Sequence, residues 1–519
     1  MKNFFRQRDT IILACIIGIA AFFRLYRISD YMTFLGDEGR DALVVYNILH
    51  GDLTLLGPRS SAADFYYGPI YYYMIAPFLW IFQYNPVGPA VFIALLGVAT
   101  VFLIYKIGKE FFGTYAAITA ALLYSISPLI VSYSRSSWNP NPLPFVSLLS
   151  IYLLYKAISR PAPLLFLIVG FLLGIGLQLQ YISLYLVLIV GIYVFLSYLY
   201  IYRRINFTKL IQSYGRILIG FIVGFTPFLA FEILHGFPNS KTIFRFILYG
   251  NPGEIVGGQM PFGEKVGDAF FRLFGRLVVN FPAPDLVKEA SLDVRLFHAA
   301  VVILGLASVG LILFQCFKAF RQSKEKFLQY ALIALWMCLG IVLFGFYRKL
   351  IFDYYFGFMF PVSFLLVGNL LQFFWRQKYL KFISLAVFVA LLYINLQGIP
   401  FLSEPNRQKD QVKSIADFVL SQTNGKPFNF ALLTLGNSDH GYRYFFRLVD
   451  RDPVIIQNNE IDPKRSTVTD QLLIVCEDTN CQPEGAQVWE VAGFGRAKII
   501  GEWDVSVVKV YKLEHYKGK

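Results

Sequence analysis

The sequence predicts a polytopic α-helical membrane protein with a soluble α/β domain at its C-terminal end, and three observations point there. Of its 519 residues, 56% are hydrophobic and only 15% charged, a balance at which a soluble domain would aggregate. Apolar runs recur at helix length, separated by short stretches that hold most of the Lys and Arg. From Pro400 onward the runs stop, and an amphipathic helix and short alternating strands take over. The formal net charge of +14 lies mostly in the short stretches, so it reads as membrane topology and argues against a nucleic-acid partner.

Lys2, Arg6 and Arg8 precede the apolar run Thr10–Phe23 in the manner of a signal peptide. No small-residue cleavage site follows, and Arg24 comes next, so the run is expected to be an uncleaved first transmembrane helix with a cytoplasmic N-terminus. In residues 24–86 the acids outnumber the arginines, as suits an external loop, and Arg40–His50 has the spacing of a helix lying on the membrane surface. Gly68–Phe82 is short for a crossing and is broken by Pro69 and Pro77. It is expected to be a juxtamembrane or re-entrant helix, because only then do Lys106 and Lys109, after the helix Val87–Tyr105, fall inside.

Further crossings are expected near Tyr115–Val131, Leu143–Lys156, Pro163–Leu179, Ser183–Tyr202, Arg216–Leu234, Leu296–Phe317, Phe327–Phe346, Tyr354–Phe374 and Leu380–Leu396. Residues 235–295, rich in Gly and Pro, read as a long external loop with the features of a lid. This makes about eleven crossings of the plasma (inner) membrane in residues 1–399, with an extracytoplasmic domain in residues 400–519. In that domain Gln411–Leu420 reads as a helix, Phe428–Leu435 and Gln471–Cys476 as strands, and Ala497–Tyr511 as a hairpin; about 120 residues are enough to fold alone. Cys476 and Cys481 are close enough for a small disulfide loop. No Cys or His spacing resembles a zinc site.

Candidate chemistry gathers on the external face. The stretch Thr33–Asp41 carries adjacent carboxylates, Asp37 and Glu38, between Gly36 and Gly39, and Arg40 and Asp41 follow. A carboxylate in such a turn can take a proton from an acceptor hydroxyl; acids that merely cap a helix explain the same residues. Arg135 is the one charge in the turn Tyr133–Pro142, where a lipid phosphate would sit, and an arginine grips phosphate bidentately. An interfacial anchor is the competing reading of Arg135, and plain turn chemistry that of Asn139 and Asn141. Arg348 and Lys349 in Tyr347–Tyr355, which also holds Tyr354, break the positive-inside pattern; a bound phosphate or a salt bridge to Asp353 would account for them. Arg59 with Asp64 precedes the aromatic run Tyr66–Tyr73, in which Tyr67 and Tyr71 are candidates for stacking on a sugar.

Leu35-Gly-Asp-Glu-Gly-Arg-Asp-Ala42, the aromatic Gly-Pro segment, Tyr105-Lys-Ile-Gly-Lys-Glu-Phe-Phe-Gly113 and Ser127-Pro-Leu-Ile-Val-Ser-Tyr-Ser-Arg135 occur in an order that resembles the GT-C glycosyltransferases. The branch is similar to the protein O-mannosyltransferases and lipid A aminoarabinose transferases, over most of residues 1–400. The resemblance implies a GT-C fold and inverting transfer of a monosaccharide from a polyprenyl-phosphate carrier to an acceptor hydroxyl of a lipid, glycan or protein on the extracytoplasmic side. It implies Asp37 as base; beside it Glu38 is expected to orient Asp37 or the acceptor, and the external charges make Arg135, Arg348, Arg59 and Arg40 the candidate phosphate ligands. Tyr67, Tyr71, Asn139, Asn141 and Tyr354 are then the residues expected to line the substrate site. No cofactor is required in principle, because a lipid phosphate leaves well once its charge is held. The chain departs from the branch in two places. Asp64-Phe-Tyr-Tyr-Gly-Pro69 lacks the Lys that often precedes a Pro-Pro pair, and Asn139 and Asn141 stand where some members carry a second acid. Two other classes fit parts of the sequence: a transporter or flippase of lipid-linked sugars, which expects charges within the helices, and an inactive scaffold with a partner-binding C-terminal domain.

Overall fold

The computed structural model describes residues 2–60, 64–160, 162–249, 260–281, 291–478 and 481–516. Its N-terminal part is helical: α1 (Lys2–Leu25), α2 (Ile28–Tyr31), α3 (Gly36–Leu49), α4 (Ile70–Ile81), α5 (Val87–Phe111), α6 (Thr114–Ile126), α7 (Pro128–Tyr133), α8 (Leu143–Ser159) and α9 (Leu164–Leu179). There follow α10 (Leu184–Tyr202), α11 (Phe207–Leu234), α12 (Pro238–Tyr249), α13 (Phe262–Phe271), α14 (Leu292–Gln322), α15 (Lys324–Phe344), α16 (Phe360–Trp375) and α17 (Leu380–Gln397). Among the described residues seven helices are long and apolar enough to cross a membrane: α5, α11, α14, α15 and α17, together with α10 and α16 and the short 3₁₀ turns ahead of them. The expected eleven draws in addition on α1 and on the shorter α6, α8 and α9. The chain is a multi-pass membrane protein.

α4 has 12 residues, or about 18 Å at 1.5 Å per residue, against a hydrocarbon core of about 30 Å. It buries Tyr71, Tyr72, Ile75 and Leu79 beside α3 and α5. Three expected boundaries differ from the structure. The run Tyr115–Val131 is split at Ser127, whose extended backbone precedes Pro128, because a residue before proline is pushed out of the helical region. α11 begins at Phe207, nine positions ahead of the expected Arg216, because the Asn206 side chain accepts the Lys209 N–H at 3.1 Å and caps it there. Residues 235–295 are not loop throughout: α12, α13 and a π-helical turn, Arg272–Arg276, lie within them.

The C-terminal part holds α18 (Gln408–Gln422), β1 (Asn429–Leu433), α19 (His440–Arg447), β2 (Gln471–Cys476), α20 (Trp489–Phe494), β3 (Ala497–Val505) and β4 (Val508–His515). The sheet order is β1-β2-β4-β3, with β1 parallel to β2 and the other pairs antiparallel. β2 is buried on both faces, as its unbroken apolar run requires. Cys476, at its end, is bonded to Cys481. The domain shares its core with the membrane part. Val412 and Ile415 of α18 and Tyr444 and Phe445 of α19 join one apolar cluster with Phe34, Val45, Tyr71 and Ile93. α18 and α19 therefore pack against α2 and α3, while Leu433, Leu472, Ile474, Phe494 and Leu513 form a second apolar cluster within the C-terminal part itself.

Candidate active site

α3 begins where Leu35 offers no side-chain oxygen, so its free N–H groups are satisfied from elsewhere. Glu38 Oε2 accepts the Leu35 N–H at 3.1 Å, and Asn437 Oδ1 from the C-terminal domain accepts the Gly36 N–H at 2.8 Å. Asp37 and Glu38 of this first turn, and Asp41 one turn on, then sit in different surroundings. Asp41 is fully buried, and its Oδ1 accepts from Arg40 Nε at 3.0 Å and Nη2 at 2.7 Å. Burial pushes its carboxyl up to about 6 although Arg40 opposes the shift. Glu38 is buried too, which raises its carboxyl to about 7. Asp37 keeps 52% of its side chain exposed while its Oδ1 accepts from Arg40 Nη1 at 2.7 Å.

Asp37 and Glu38 line a cleft of 480 Å³ with three walls. The first is Thr33–Glu38 itself. The second is the α7–α8 turn, through Ser132, Tyr133, Ser136, Trp138 and Asn141. The two are stitched together by the Thr33 N–H and Ser136 Oγ at 3.2 Å and by the Ser136 and Thr33 hydroxyls at 3.0 Å. The third wall is Gly436, Asn437 and Ser438 of the C-terminal domain. There the Asn437 amide donates to both Glu477 oxygens at 2.9 and 3.1 Å, Tyr442 Oη donates to Glu477 at 2.9 Å, and Ser438 Oγ bonds His440 Nδ1 at 2.8 Å. Burial lowers the pKa of His440, which lies near enough to Asp37 and Arg40 to feel their charges. The paired glycines follow from this docking. A methyl group at Gly36 would meet Ser438, and one at Gly39 would meet the backbone of His440 and Gly441.

The remaining candidates divide. Asn141 lines the cleft, with its amide donating to Ser136 O at 2.8 Å. Tyr354 stacks edge-on against Trp138, ring centres 4.5 Å apart, and lines with Tyr133 and Asn141 a narrow cavity behind it. Arg40 sits near the start of α3, bridging Asp37 and Asp41. Arg135 is buried, and its guanidinium donates to Phe23 O at 2.9 Å and Tyr26 O at 2.7 Å under the ring of Phe401. Asn139 is buried and bonded to Leu179 O at 2.8 Å, and Tyr71 is buried with its hydroxyl on Ser137 at 2.7 Å. Tyr67 donates to Gln180 at 2.9 Å within a group of tyrosines in which Tyr181 and Tyr347 share a bond of 2.5 Å. Arg59 is exposed and paired with Asp64 at 2.9 Å. Arg348 is exposed and, among the described residues, makes no ion pair; Asp353 bonds instead to Arg272 at 2.8 Å and Arg276 at 2.6 Å. Sequence reasoning missed those two arginines because they lay in the supposed loop. It missed Asn437, Ser438 and His440 as well, although Gly436-Asn-Ser-Asp-His-Gly441, a polar turn just past a buried strand, was a readable signal.

Residues 67–231 match the family described as dolichyl-phosphate-mannose-protein mannosyltransferase. Two curated proteins of Bacillus subtilis (strain 168) are similar over a shorter stretch. "Putative mannosyltransferase YkcB" is 33% identical over 95 residues, 18% of this chain and 13% of that protein. "Putative mannosyltransferase YycA" is 34% identical over 96 residues, 18% of this chain and 14% of that protein. The match thus spans a small part of the curated relatives' own length. Among solved structures, ArnT from Cupriavidus metallidurans bound to undecaprenyl phosphate superposes with a TM-score of 0.58 at 12% identity, covering 97% of each chain. The archaeal oligosaccharyltransferase AglB from Archaeoglobus fulgidus, in complex with an inhibitory peptide and a dolichol-phosphate, does so with 0.51 at 13%, covering 91% of this chain and 70% of that one. The likeness to ArnT runs the whole length, C-terminal domain included.

Proposed function

We propose that this chain, a membrane protein of the GT-C glycosyltransferase fold, moves a monosaccharide from a polyprenyl-phosphate carrier to an acceptor hydroxyl, with inversion, in the cleft beside Asp37. The observation that carries the reading is the position of Asp37. Of the acids in the turn it is the half-exposed one, at a helix N-terminus, on the floor of a cleft that both the membrane part and the C-terminal domain enclose. In the reaction the acceptor hydroxyl attacks the anomeric carbon and the bond from that carbon to the carrier phosphate breaks. Asp37 takes the hydroxyl proton as the new bond forms. Arg40 holds Asp37 in place, and Glu38 holds the helix start that presents it. Of the four arginines, Arg135 is committed to backbone carbonyls, Arg59 to Asp64 and Arg40 to Asp37 and Asp41, which leaves Arg348, without an ion pair among the described residues, as the first to test for the leaving phosphate.

The carriers named for the solved relatives, undecaprenyl phosphate and dolichol-phosphate, belong to the proposed class of donor. Mannose, named for the family and for both curated relatives, is the first sugar to test. The cleft and C-terminal domain face the extracytoplasmic side of the plasma (inner) membrane, with the N-terminus in the cytoplasm. The test is transfer from polyprenyl-phosphate mannose in proteoliposomes. Asp37→Asn is expected to elute and melt like the parent, because its side chain is half exposed, and to lose at least about a hundredfold in rate. Wild-type turnover in that variant removes Asp37 as the base.

A further inference from the structure

A second cleft lies at the opposite end of the helices from Asp37. α8 starts beside Asn141 at the catalytic cleft and runs 17 residues to Ser159, about 25 Å. At its far end a cavity of 430 Å³ opens between α8, α9, α10, α11 and the start of α15. Arg160, Lys209, Arg216 and Lys324 line it, and no carboxylate does. Among the described residues none of the four makes an ion pair, although acids are at hand at this end: Lys109 pairs with Asp9 and Lys156 with Glu110. Three helices also begin at this cavity. Ala162 and Pro163 on its wall lead into α9, Lys209 lies in the first turn of α11, and Lys324 opens α15. Each N-terminus brings a partial positive charge of about half a unit and the C-terminal ends of α8 and α10, also on the wall, about half a negative unit each, so the helix ends leave a small positive surplus beside the four formal charges. Charges of one sign left unbalanced in a cleft concentrate anions there.

The rest of the cavity narrows the class of anion. Ser159 and the bonded pair Tyr198 and Ser213 (2.8 Å) offer hydroxyls beside the cations, and Arg160 and Arg216 bring planar forks that match phosphate oxygens. Phe166 and Ile201 make an apolar back wall. Just outside, Phe207 and Ile211, 68% and 70% exposed, present apolar surface on α11, a helix long and apolar enough to cross a membrane. We propose that this cavity binds the phosphate headgroup of an anionic membrane lipid, with the acyl chains lying along α11. The site is separate from the transfer reaction and stands whether or not Asp37 is a base.

The experiment is native mass spectrometry of delipidated, detergent-solubilised protein titrated with phosphatidylglycerol, phosphatidylcholine or inorganic phosphate. Wild type is expected to retain phosphatidylglycerol and to release phosphatidylcholine. K209Q/K324Q, which changes two exposed side chains, is expected to weaken phosphatidylglycerol about twenty-fivefold, at about fivefold per cation, and the quadruple variant R160Q/K209Q/R216Q/K324Q several-hundredfold. K378Q/K381Q, carrying the same charge change on the α16–α17 turn, is expected to bind like wild type. The double variants decide the matter if the quadruple one fails to fold. Equal retention of the two lipids overturns the proposal, as does an equal loss in both double variants. Inorganic phosphate that displaces the lipid at equal concentration reassigns the cavity to a free anion and overturns it too.

Discussion

Asp37, Glu38 and Asp41 stand close together at the start of α3 yet differ in exposure and in partner, Arg40 bonding Asp37 and Asp41 and the Leu35 N–H bonding Glu38. Glu38 has the pH signature that reaches furthest toward neutrality. Its carboxyl is held up to about 7 from an ordinary 4.5 by burial, so between those values the folded state holds a proton that the unfolded state has lost. Stability therefore falls as pH rises through that window and is level on either side of it. Glu38→Gln keeps an oxygen for the Leu35 N–H and removes the titration. The drop in melting temperature between pH 4.5 and 7 is expected to shrink, leaving the slope of Asp41, which ends at about 6. An unchanged slope would mean that Glu38 is ionised throughout. Arg135 makes the contrasting case. Its guanidinium caps the last carbonyls of α1, so Arg135→Ala is expected to cost about 1 to 3 kcal/mol and lower the melting temperature while donor KM stays put. A raised donor KM in a variant of normal stability would return it to the phosphate. The acids were legible in the sequence because two adjacent carboxylates after a first membrane helix are unusual. The direction in which Arg135 points was not, since charge in a turn says nothing about which carbonyls the fold brings within reach.

At the scale of elements, the sequence was clearest where one period ran unbroken. α8, α9 and β2 begin and end within three residues of where the apolar runs do, whereas α12 and α13 were hidden because short amphipathic helices lack such runs. The packing of α19 on α3 was hidden as well, because it joins positions about four hundred apart in the chain. Its trace in the sequence is the glycine pair around Asp37 and Glu38, which reads as a flexible turn and is in fact a site of close backbone approach. Gly39→Ala is expected to push α19 off α3, cost about 1 to 3 kcal/mol through overpacking, and make the 398–407 connection more open to protease. Gly18→Ala, where the added methyl group meets nothing within 4 Å, is the matched control. Equal protease half-lives for Gly39→Ala and Gly18→Ala would refute the docking.

For the whole molecule, the shared apolar cluster ties the face that holds the cleft to the C-terminal domain, so their side of the membrane is a single question. The Asn437–Glu477 contacts behind the Gly36 N–H and the apolar cluster of α18 and α19 with α3 and α4 hold Gly436, Asn437 and Ser438 at the cleft. α8 carries the chain from that face to the opposite end, and the α10–α11 turn lies with it beside the second cavity. If the cleft is extracytoplasmic, Ser421 on α18 lies outside and Arg204 inside, and both side chains are exposed to solvent. In a background without Cys15, Cys316 and Cys338, the free cysteines of the described residues, Ser421→Cys is expected to react with a membrane-impermeant maleimide in intact cells. Arg204→Cys is expected to react only after the membrane is opened. The reverse pattern would put Asp37 in the cytoplasm, where the donor would have to be loaded and used on one side. It would also move the basic cavity to the outer leaflet, so this one labelling experiment fixes the side of the membrane for both sites.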